Sequence, residues 1–236
     1  RLDFSQGELR QTDKTLDLAI DGGGFLVLLN DSQHVFARTG SFEVNDNGDI
    51  VLAGTDYKLC VLDGSGIPTA LSVGSSRTSP PQATSTITFA DNLSSSAETF
   101  TLSNLKVYDA AGQSKTWQVK FERNTAMPAG EWKVTVSDAG GEGGVQTRRF
   151  IGSIADPTTS KLSFGSGANA VEFDFTNATS FSSGEISTLR VSKSDGYAAG
   201  EITSMGVNDE GVFEITYSNE QKTTLGAVTI ANFTDP

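Results

Sequence analysis

The stretch LDLAIDGGGFLVLLNDSQHVFARTGSFEVNDNGD, residues 16–49, carries the strongest structural signal in the chain. An apolar strand at 16–20 breaks at the sequence DGGG, where glycine reaches positive φ without a steric cost. A second apolar strand follows at 25–29, and a third starts at 35–38. Asn/Asp/Ser/Gly clusters mark the turns between the strands. The pattern predicts a β-meander.

This stretch also resembles the signature of bacterial flagellar rod and hook proteins. The resemblance rests on LDLAI at 16–20, Gly22, Gly24, Phe25, RTGSF at 38–42, and Asn47-Gly48. Phe4 and Gln6-Gly7 resemble the run-in that precedes the signature. Leu26 and Phe36 depart from the family pattern, which has a second aromatic residue and a tyrosine at these positions, but both remain apolar.

Composition points to the same class of fold. The chain has 236 residues, enough for one large or two ordinary domains with a sizeable core. Twenty-five glycines, only two methionines and no long helical periodicity are typical of short strands joined by tight turns. We therefore expect an all-β protein.

The charge excludes some partners. A formal net charge of −12 with seventeen scattered Lys/Arg argues against nucleic acid, because phosphate binding needs clustered cations. No apolar run approaches the roughly 20 residues that span a bilayer. No basic-then-apolar signal opens the chain. We expect neither a membrane partner nor export by the general secretion pathway.

A change in composition divides the chain. Residues 71–88 are rich in Ser, Pro and Thr and have no core-forming pattern, which is typical of a linker. After it, Trp117, Val119 and Phe121 alternate with polar residues, as do Trp132 and Val134. Each of these strands has one apolar face, so two of them stacked would form a sandwich core.

The resemblance implies an inserted domain. The order from residue 195 onward, including NDEG at 208–211 and ANF at 231–233, is similar to the return of hook proteins into their first domain. We predict a discontinuous first β-domain at 1–72 and 190–236 and a second β-domain at 84–184. Two connections, 73–83 and 185–189, would join the domains as a two-stranded link.

The inserted domain favours a hook protein over a rod protein, since rod relatives usually lack so large an insertion. Family members begin and end with long helices that pair in an inner tube. Neither helix is present in this sequence, so we interpret the chain as a core fragment and expect it to be monomeric.

We expect no catalytic site, metal or cofactor. The lone His34 lies in a predicted polar turn, and the chain has no second histidine and no cysteine close in sequence to share a metal with it. The glycines at 21–24 could cradle a phosphate only if a helix followed them, but an apolar strand follows. Residues 45–49 superficially resemble a calcium loop but lack its acidic spacing, which favours a hairpin turn.

Four further residues have a structural and a chemical interpretation. Cys60 cannot form an internal disulfide and is predicted to be a buried core thiol, with a reactive or cross-linking thiol as the alternative. The sequons at Asn92, Asn177 and Asn232 are expected to be unmodified, because the motif is short and the resemblance is bacterial.

The resemblance implies a structural subunit of the flagellar hook. Many copies would polymerise into a curved, flexible tube that acts as a universal joint and transmits torque from rod to filament. It implies contacts with rod, hook-cap and hook-filament junction proteins. It also implies an extracellular location at the basal body, reached through the flagellar type III export system.

The sequence leaves two alternatives open. One is a flagellar rod protein of the same family. The other is a surface adhesin or binding module, which would need an exposed aromatic cluster with Trp117 and Trp132 as candidates.

Overall fold

The computed structural model describes residues 9–125, 130–138, 143–150, 152–153, 160–165, 167 and 170–233. The run-in residues Phe4, Gln6 and Gly7 lie outside these ranges. Regular structure in the described residues is almost all β-strand, with a short 3-10 helix at Gly74–Ser76. The predicted all-β class is confirmed. None of the described helices is long and apolar enough to cross a bilayer.

The chain forms two compact units, which are Arg1–Ser79 with Gly200–Pro236 and Pro80–Ala199. It leaves the first unit once and returns once, as expected of an inserted domain. The two crossing segments run antiparallel: Ser79 pairs with Gly200 in the first unit, and Gln82 pairs with Tyr197 in the second. These pairs form a two-stranded connection.

Two residues in the predicted connections are buried in the cores of the units. Val73 lies in the predicted connection 73–83, yet it is buried in the core of the first unit. Leu189 lies in the other predicted connection and is buried in the core of the second unit. Neither residue lies in a strand, so no alternating pattern in the sequence marks it as part of a core.

The first unit begins with eight strands. They are β1 Asp17–Ala19, β2 Phe25–Asn30, β3 Gln33–Ala37, β4 Thr39–Val44, β5 Ile50–Leu52, β6 Lys58–Leu62, β7 Pro68–Ala70 and β8 Thr78–Ser79. The second unit follows with β9 Thr86–Asn92, β10 Thr99–Tyr108, β11 Ser114–Arg123, β12 Glu131–Asp138, β13 Gly143–Arg149, β14 Gly152–Ser153, β15 Lys161–Phe164, β16 Val171–Ser180 and β17 Arg190–Ser194. The first unit is completed by β18 Gly200–Val207, β19 Val212–Tyr217, β20 Lys222–Ala227 and β21 Ile230–Ala231.

The predicted meander at 16–49 is wrong. Strands β2 and β3 do form a hairpin, but β4 pairs with β1 and β5 rather than with β3. Only Arg38 separates β3 from β4, so the chain has no turn in which to reverse and continues to different partners. The main sheet of the first unit therefore has the order β1-β4-β5-β6-β2-β21, with β3 on β2 and β7 on β6.

Strand β2 pairs with three other strands, β3, β6 and β21. Its residues Leu26, Val27 and Leu28 are all buried, as a continuous apolar run predicts for a strand covered on both faces. A second sheet, in the order β20-β19-β18-β8, contributes Phe213 and Ile215 of β19 to the same core as Leu28.

The second unit is a sandwich, as predicted. One sheet has the order β10-β11-β12-β13, and the other has the order β14-β16-β9-β17 with β15 on β16. Their apolar faces share one core, and several phenylalanine rings contact one another there. For example, the Phe89 and Phe175 ring centroids lie 4.6 Å apart, and those of Phe89 and Phe173 lie 5.1 Å apart.

Candidate assembly surfaces

The residues with possible chemistry remain dispersed in the structure. His34 lies exposed in β3, not in the polar turn that the sequence predicted. Across the described ranges, no group of three or more His, Cys, Asp or Glu side chains is placed to hold a metal ion. Cys60 is buried in β6, as predicted, and burial raises the pKa of its thiol. The thiol is therefore protonated at neutral pH and shielded from reagents.

Residues 45–49 form the predicted hairpin turn between β4 and β5. The Asn45 side-chain oxygen accepts a hydrogen bond from the Asp49 amide at 2.9 Å, and the Gly48 amide donates to the Asn45 carbonyl at 2.9 Å. Asn208 repeats this arrangement in the turn between β18 and β19, where its side-chain oxygen accepts from the Val212 amide at 3.0 Å. Asparagine is favoured at both turns because its side chain can bond to its own local backbone.

Asp49 also forms an ion pair. Its carboxylate lies 2.7 Å from the Lys58 ammonium group. The hydrogen bond from Lys58 outweighs partial burial and lowers the pKa of Asp49. This pair links the turn to β6.

The glycine-rich turn at 21–24 lies close to β21. A strand follows this turn, not a helix. Gly24 has φ +108°, and a Cβ at this position would lie 2.6 Å from Ile230 and 2.8 Å from the Asn232 side chain. Only glycine therefore allows β21 to lie this close to the turn. The Gly24 carbonyl accepts a hydrogen bond from Arg38 at 2.7 Å.

An exposed cluster of mainly aromatic side chains lies next to this turn. We define the aromatic patch as Phe25, Phe36, Ile230 and Phe233. The Phe233 ring meets Phe36 edge-on at 4.8 Å and Phe25 at 5.7 Å, and the Arg38 guanidinium lies 5.8 Å from the centre of the Phe25 ring. Phe36 is 41% exposed and Phe233 63% exposed. Clustered apolar side chains that remain in water are typical of interaction surfaces.

The second unit has an exposed apolar surface of its own, on a loop. We define the apolar loop as residues 181–186, in which Phe181 is 57% exposed and Ile186 74% exposed. Asn92 holds this loop: its side-chain oxygen accepts from the Phe181 amide at 2.8 Å, and its side-chain nitrogen donates to the Phe181 carbonyl at 3.1 Å and to the Ser183 hydroxyl at 3.0 Å. The Asn92 sequon is therefore part of a structural hydrogen-bond network.

Ser94 also forms hydrogen bonds that hold the loop. Its hydroxyl is buried, donates to the Gly184 carbonyl and accepts from the Ser183 amide at 3.1 Å. Its amide donates to the Ser187 hydroxyl at 2.9 Å. The two exposed apolar side chains are thus presented on an ordered backbone.

The tryptophans proposed for the binding-module alternative do not form an exposed cluster. Trp132 is fully buried, and Trp117 is partly buried and packs against the core of the second unit. The Trp117 ring lies 6.4 Å from the buried Phe173 ring. Both tryptophans belong to the apolar faces that their alternation predicts.

The net charge is unequal between the two units. Residues 80–199 contain ten Lys/Arg and twelve Asp/Glu, a net charge of −2, which leaves −10 of the chain's −12 to the first unit. Two chains therefore repel strongly through their first units and weakly through their second units.

Known proteins similar to this chain are flagellar. The Escherichia coli flagellar hook protein FlgE is 25% identical over an alignment covering 98% of this chain and 65% of that protein. The predicted resemblance to flagellar hook proteins is confirmed. The crystal structure of the Helicobacter pylori hook protein FlgE2 superposes with a TM-score of 0.63 at 10% identity, covering 95% of this chain and 90% of that one. This match shows a shared hook-protein fold.

The extent of similarity separates hook proteins from rod proteins. The Buchnera aphidicola rod protein FlgG is 45% identical over 49 residues, only 20% of this chain. The similarity to hook proteins covers nearly the whole chain, including the inserted unit. The chain spans about two thirds of the length of the E. coli hook protein. No family model matches it.

Sequence reasoning missed both exposed apolar surfaces. Phe233 comes late in the chain and meets Phe25 and Phe36 only because β21 pairs with β2. The apolar loop depends on hydrogen bonds between residues about 90 positions apart. A phenylalanine and an isoleucine within a serine- and glycine-rich stretch were the available signal for the loop, but composition alone does not reveal their exposure.

Proposed function

We propose that this chain is a structural subunit of the bacterial flagellar hook. The observation that carries the proposal is similarity to hook proteins along 98% of the chain, through both units. The chain would work without chemistry of its own, as one of many copies in a curved tube that passes torque from the rod to the filament. The rod alternative is not favoured, since its similarity covers 20% of the chain.

The proposal includes self-association. A contact in which one face of a subunit meets a different face of the next does not close, and it generates a helical assembly. In a curved rotating tube each subunit passes from the compressed side to the extended side once per revolution. Contacts near the axis must then hold while outer contacts slide, so the outer contacts must be weak.

Location and partners follow from the same proposal. The subunit would lie outside the cell between the basal body and the filament, after export through the flagellar type III system. Rod, hook-cap and hook-filament junction proteins would be its neighbours at the two ends of the tube.

A labelling experiment tests this location. Ser65 is exposed in the turn between β6 and β7, whereas Cys60 is fully buried. A Ser65→Cys variant in the source bacterium should therefore react with a fluorescent maleimide, and the unsubstituted protein serves as the matched control. We expect the label in short structures at the base of each filament.

Deletion of the gene is a second test of the proposed function. We expect cells without attached filaments, which regain them when the gene is restored. Label spread over the cell surface would favour an adhesin. A deletion strain that swims with normally attached filaments would exclude the hook function.

A further inference from the structure

The two segments along which the chain leaves and re-enters the first unit are held there by sheets of unequal length. The return segment enters β18, which has eight residues and pairs with β19 from Ile202 to Val207. The exit segment leaves through β8, which has two residues and pairs with Gly200 and Glu201 of β18. A two-residue ladder is a weak attachment, because each backbone hydrogen bond contributes little net stability. The exit segment therefore depends on further contacts to stay in place.

Two side chains of the hairpin formed by β19 and β20 supply such contacts. The Tyr217 hydroxyl donates to the Ser76 carbonyl at 2.7 Å, and the Asn219 side-chain nitrogen donates to the Ser79 hydroxyl at 3.1 Å. Tyr217 is only 3% exposed and belongs to the core of the first unit, so its hydroxyl is fixed relative to that core. We define the exit-strand anchor as Tyr217 and Asn219.

The same hairpin also contacts the return strand. The Ser218 amide donates to the Glu201 carbonyl at 2.8 Å, and the Glu201 amide donates to the Ser218 hydroxyl at 3.1 Å. A Cβ on Gly200 would lie 2.5 Å from the Asn219 side chain, so only glycine permits this approach. Asn219 therefore lies against both strands at the point where the chain leaves and re-enters the first unit.

The turn that carries Asn219 is held in one conformation by its own hydrogen bonds. The Tyr217 amide donates to the Gln221 carbonyl at 2.9 Å, and the Glu220 amide donates to the Tyr217 carbonyl at 2.9 Å. The Asn219 side-chain oxygen accepts from the Gln221 amide at 3.1 Å. Both ends of the Asn219 side-chain amide are thus used, one on its own turn and the other on the exit strand.

We propose that the exit-strand anchor holds β8 against tension, so that force applied to the second unit passes into the core of the first unit and does not peel β8 from β18. The covalent path of that force is the pair of crossing segments 79–82 and 197–200. This path is weakest at the short β8, and the anchor bonds to the chain there. The inference rests on the proposed hook function, in which each subunit transmits torque.

Hydrogen exchange of the whole purified chain tests the anchor. Ser79→Ala and Tyr217→Phe each remove one of its two hydrogen bonds and keep the turn at 217–221. Each substitution should raise exchange in a peptide spanning 74–79 about fivefold to tenfold, and exchange in β2 should stay the same. Unchanged exchange at 74–79 in both variants would overturn the proposal. So would an equal increase throughout the first unit, because β8 would then open only when the whole unit unfolds.

Asn208→Ala is the matched control for these substitutions. Asn208 lies in the similar turn between β18 and β19, where its side-chain oxygen accepts from the Val212 amide at 3.0 Å. Its removal should leave exchange at 74–79 unchanged. An increase at 74–79 as large as that in Ser79→Ala would show that any weakened turn of this sheet releases β8, and would overturn the specific role of the anchor.

Assembled hooks under load give the second measurement. A source strain with both Ser79→Ala and Tyr217→Phe should keep its filaments in dilute medium. In viscous medium, where a turning filament loads the hook with more torque, it should lose filaments several-fold more often than the unsubstituted strain. Equal filament loss in the two strains at high viscosity would overturn the role under tension.

The anchor and the hook function can fail separately. Unchanged exchange in the purified chain contradicts the anchor and leaves the hook function standing. A deletion strain with intact hooks contradicts the hook function, whereas the exchange result does not depend on assembly.

Discussion

The two units of this chain are both built from antiparallel-rich sheets, but they are held together by different means. The second unit is nearly neutral and packs Phe89, Phe121, Phe173 and Phe175 into one core. The first unit carries most of the negative charge, has a mainly aliphatic core, and depends on local turns such as those at Asn45 and Asn208. The second unit should therefore respond most to loss of volume, and the first to backbone geometry, pH and salt.

The largest effect is expected from Trp132→Ala in the second unit. Trp132 is fully buried, and removing a large buried ring typically costs about 3–5 kcal/mol through lost burial and the cavity left behind. Hydrogen exchange resolved by mass spectrometry should show faster exchange in 80–199 and unchanged exchange in the first unit.

Trp132→Phe is the control for this substitution. It keeps most of the ring and removes the Trp132 Nε1, which has no hydrogen-bond partner among the described residues. Its cost should be smaller, about 1–2 kcal/mol. Equal loss of protection in both units would mean that they unfold as one, and would remove the basis for the comparison.

Gly24→Val should have the next largest effect, confined to the first unit. Its φ of +108° strains any side chain, and the new Cβ would overlap Ile230 and Asn232. We expect a loss of about 2–3 kcal/mol. Gly22→Ala is the control, because Gly22 has φ +99° with nothing within 4 Å and so reports backbone strain alone. Similar losses for the two variants would show that close packing of β21 contributes nothing.

Asp49→Asn tests the pH response of the first unit. The pKa of Asp49 is lowered in the folded protein by the Lys58 hydrogen bond, so its stabilisation is present above the usual carboxyl value of 3.8 and is lost as pH falls below it. We expect a loss of about 1 kcal/mol at pH 7 that disappears below about pH 3, measured by urea unfolding. The neighbouring exposed Asp46→Asn should change little. If Asp49→Asn lost stability between pH 7 and pH 3 as steeply as the unsubstituted protein, this role would be contradicted.

Salt should have the smallest effect on stability. Its effect should differ between the units, because their net charges differ. Raising NaCl from about 50 to 500 mM screens repulsion within the acidic first unit and should stabilise it by less than about 1 kcal/mol. The second unit should change less, because its net charge is −2. Hydrogen exchange at both salt concentrations measures the two responses in one sample. A larger response in the second unit would contradict the charge comparison.

Much of the fold could be predicted from short stretches. The break at Gly22 and Gly24, the turn at Asn45 and the alternating faces around Trp117 and Trp132 each depend on residues a few positions apart. The burial of Val73 and Leu189 could not be predicted in this way, because each residue packs in a core built from distant strands. The candidate surfaces could not be predicted for the same reason.

The sequence by itself determined that the chain is all-β, where most strands and turns lie, and its resemblance to hook proteins, because these depend on local periodicity and on residue order. Only the tertiary structure decided which strands pair, where the two units divide, and that Phe233 joins Phe36 while Phe181 and Ile186 remain in water. Strand partners and exposure depend on contacts between residues far apart in the chain, and a pattern that repeats every two residues is the same for any partner.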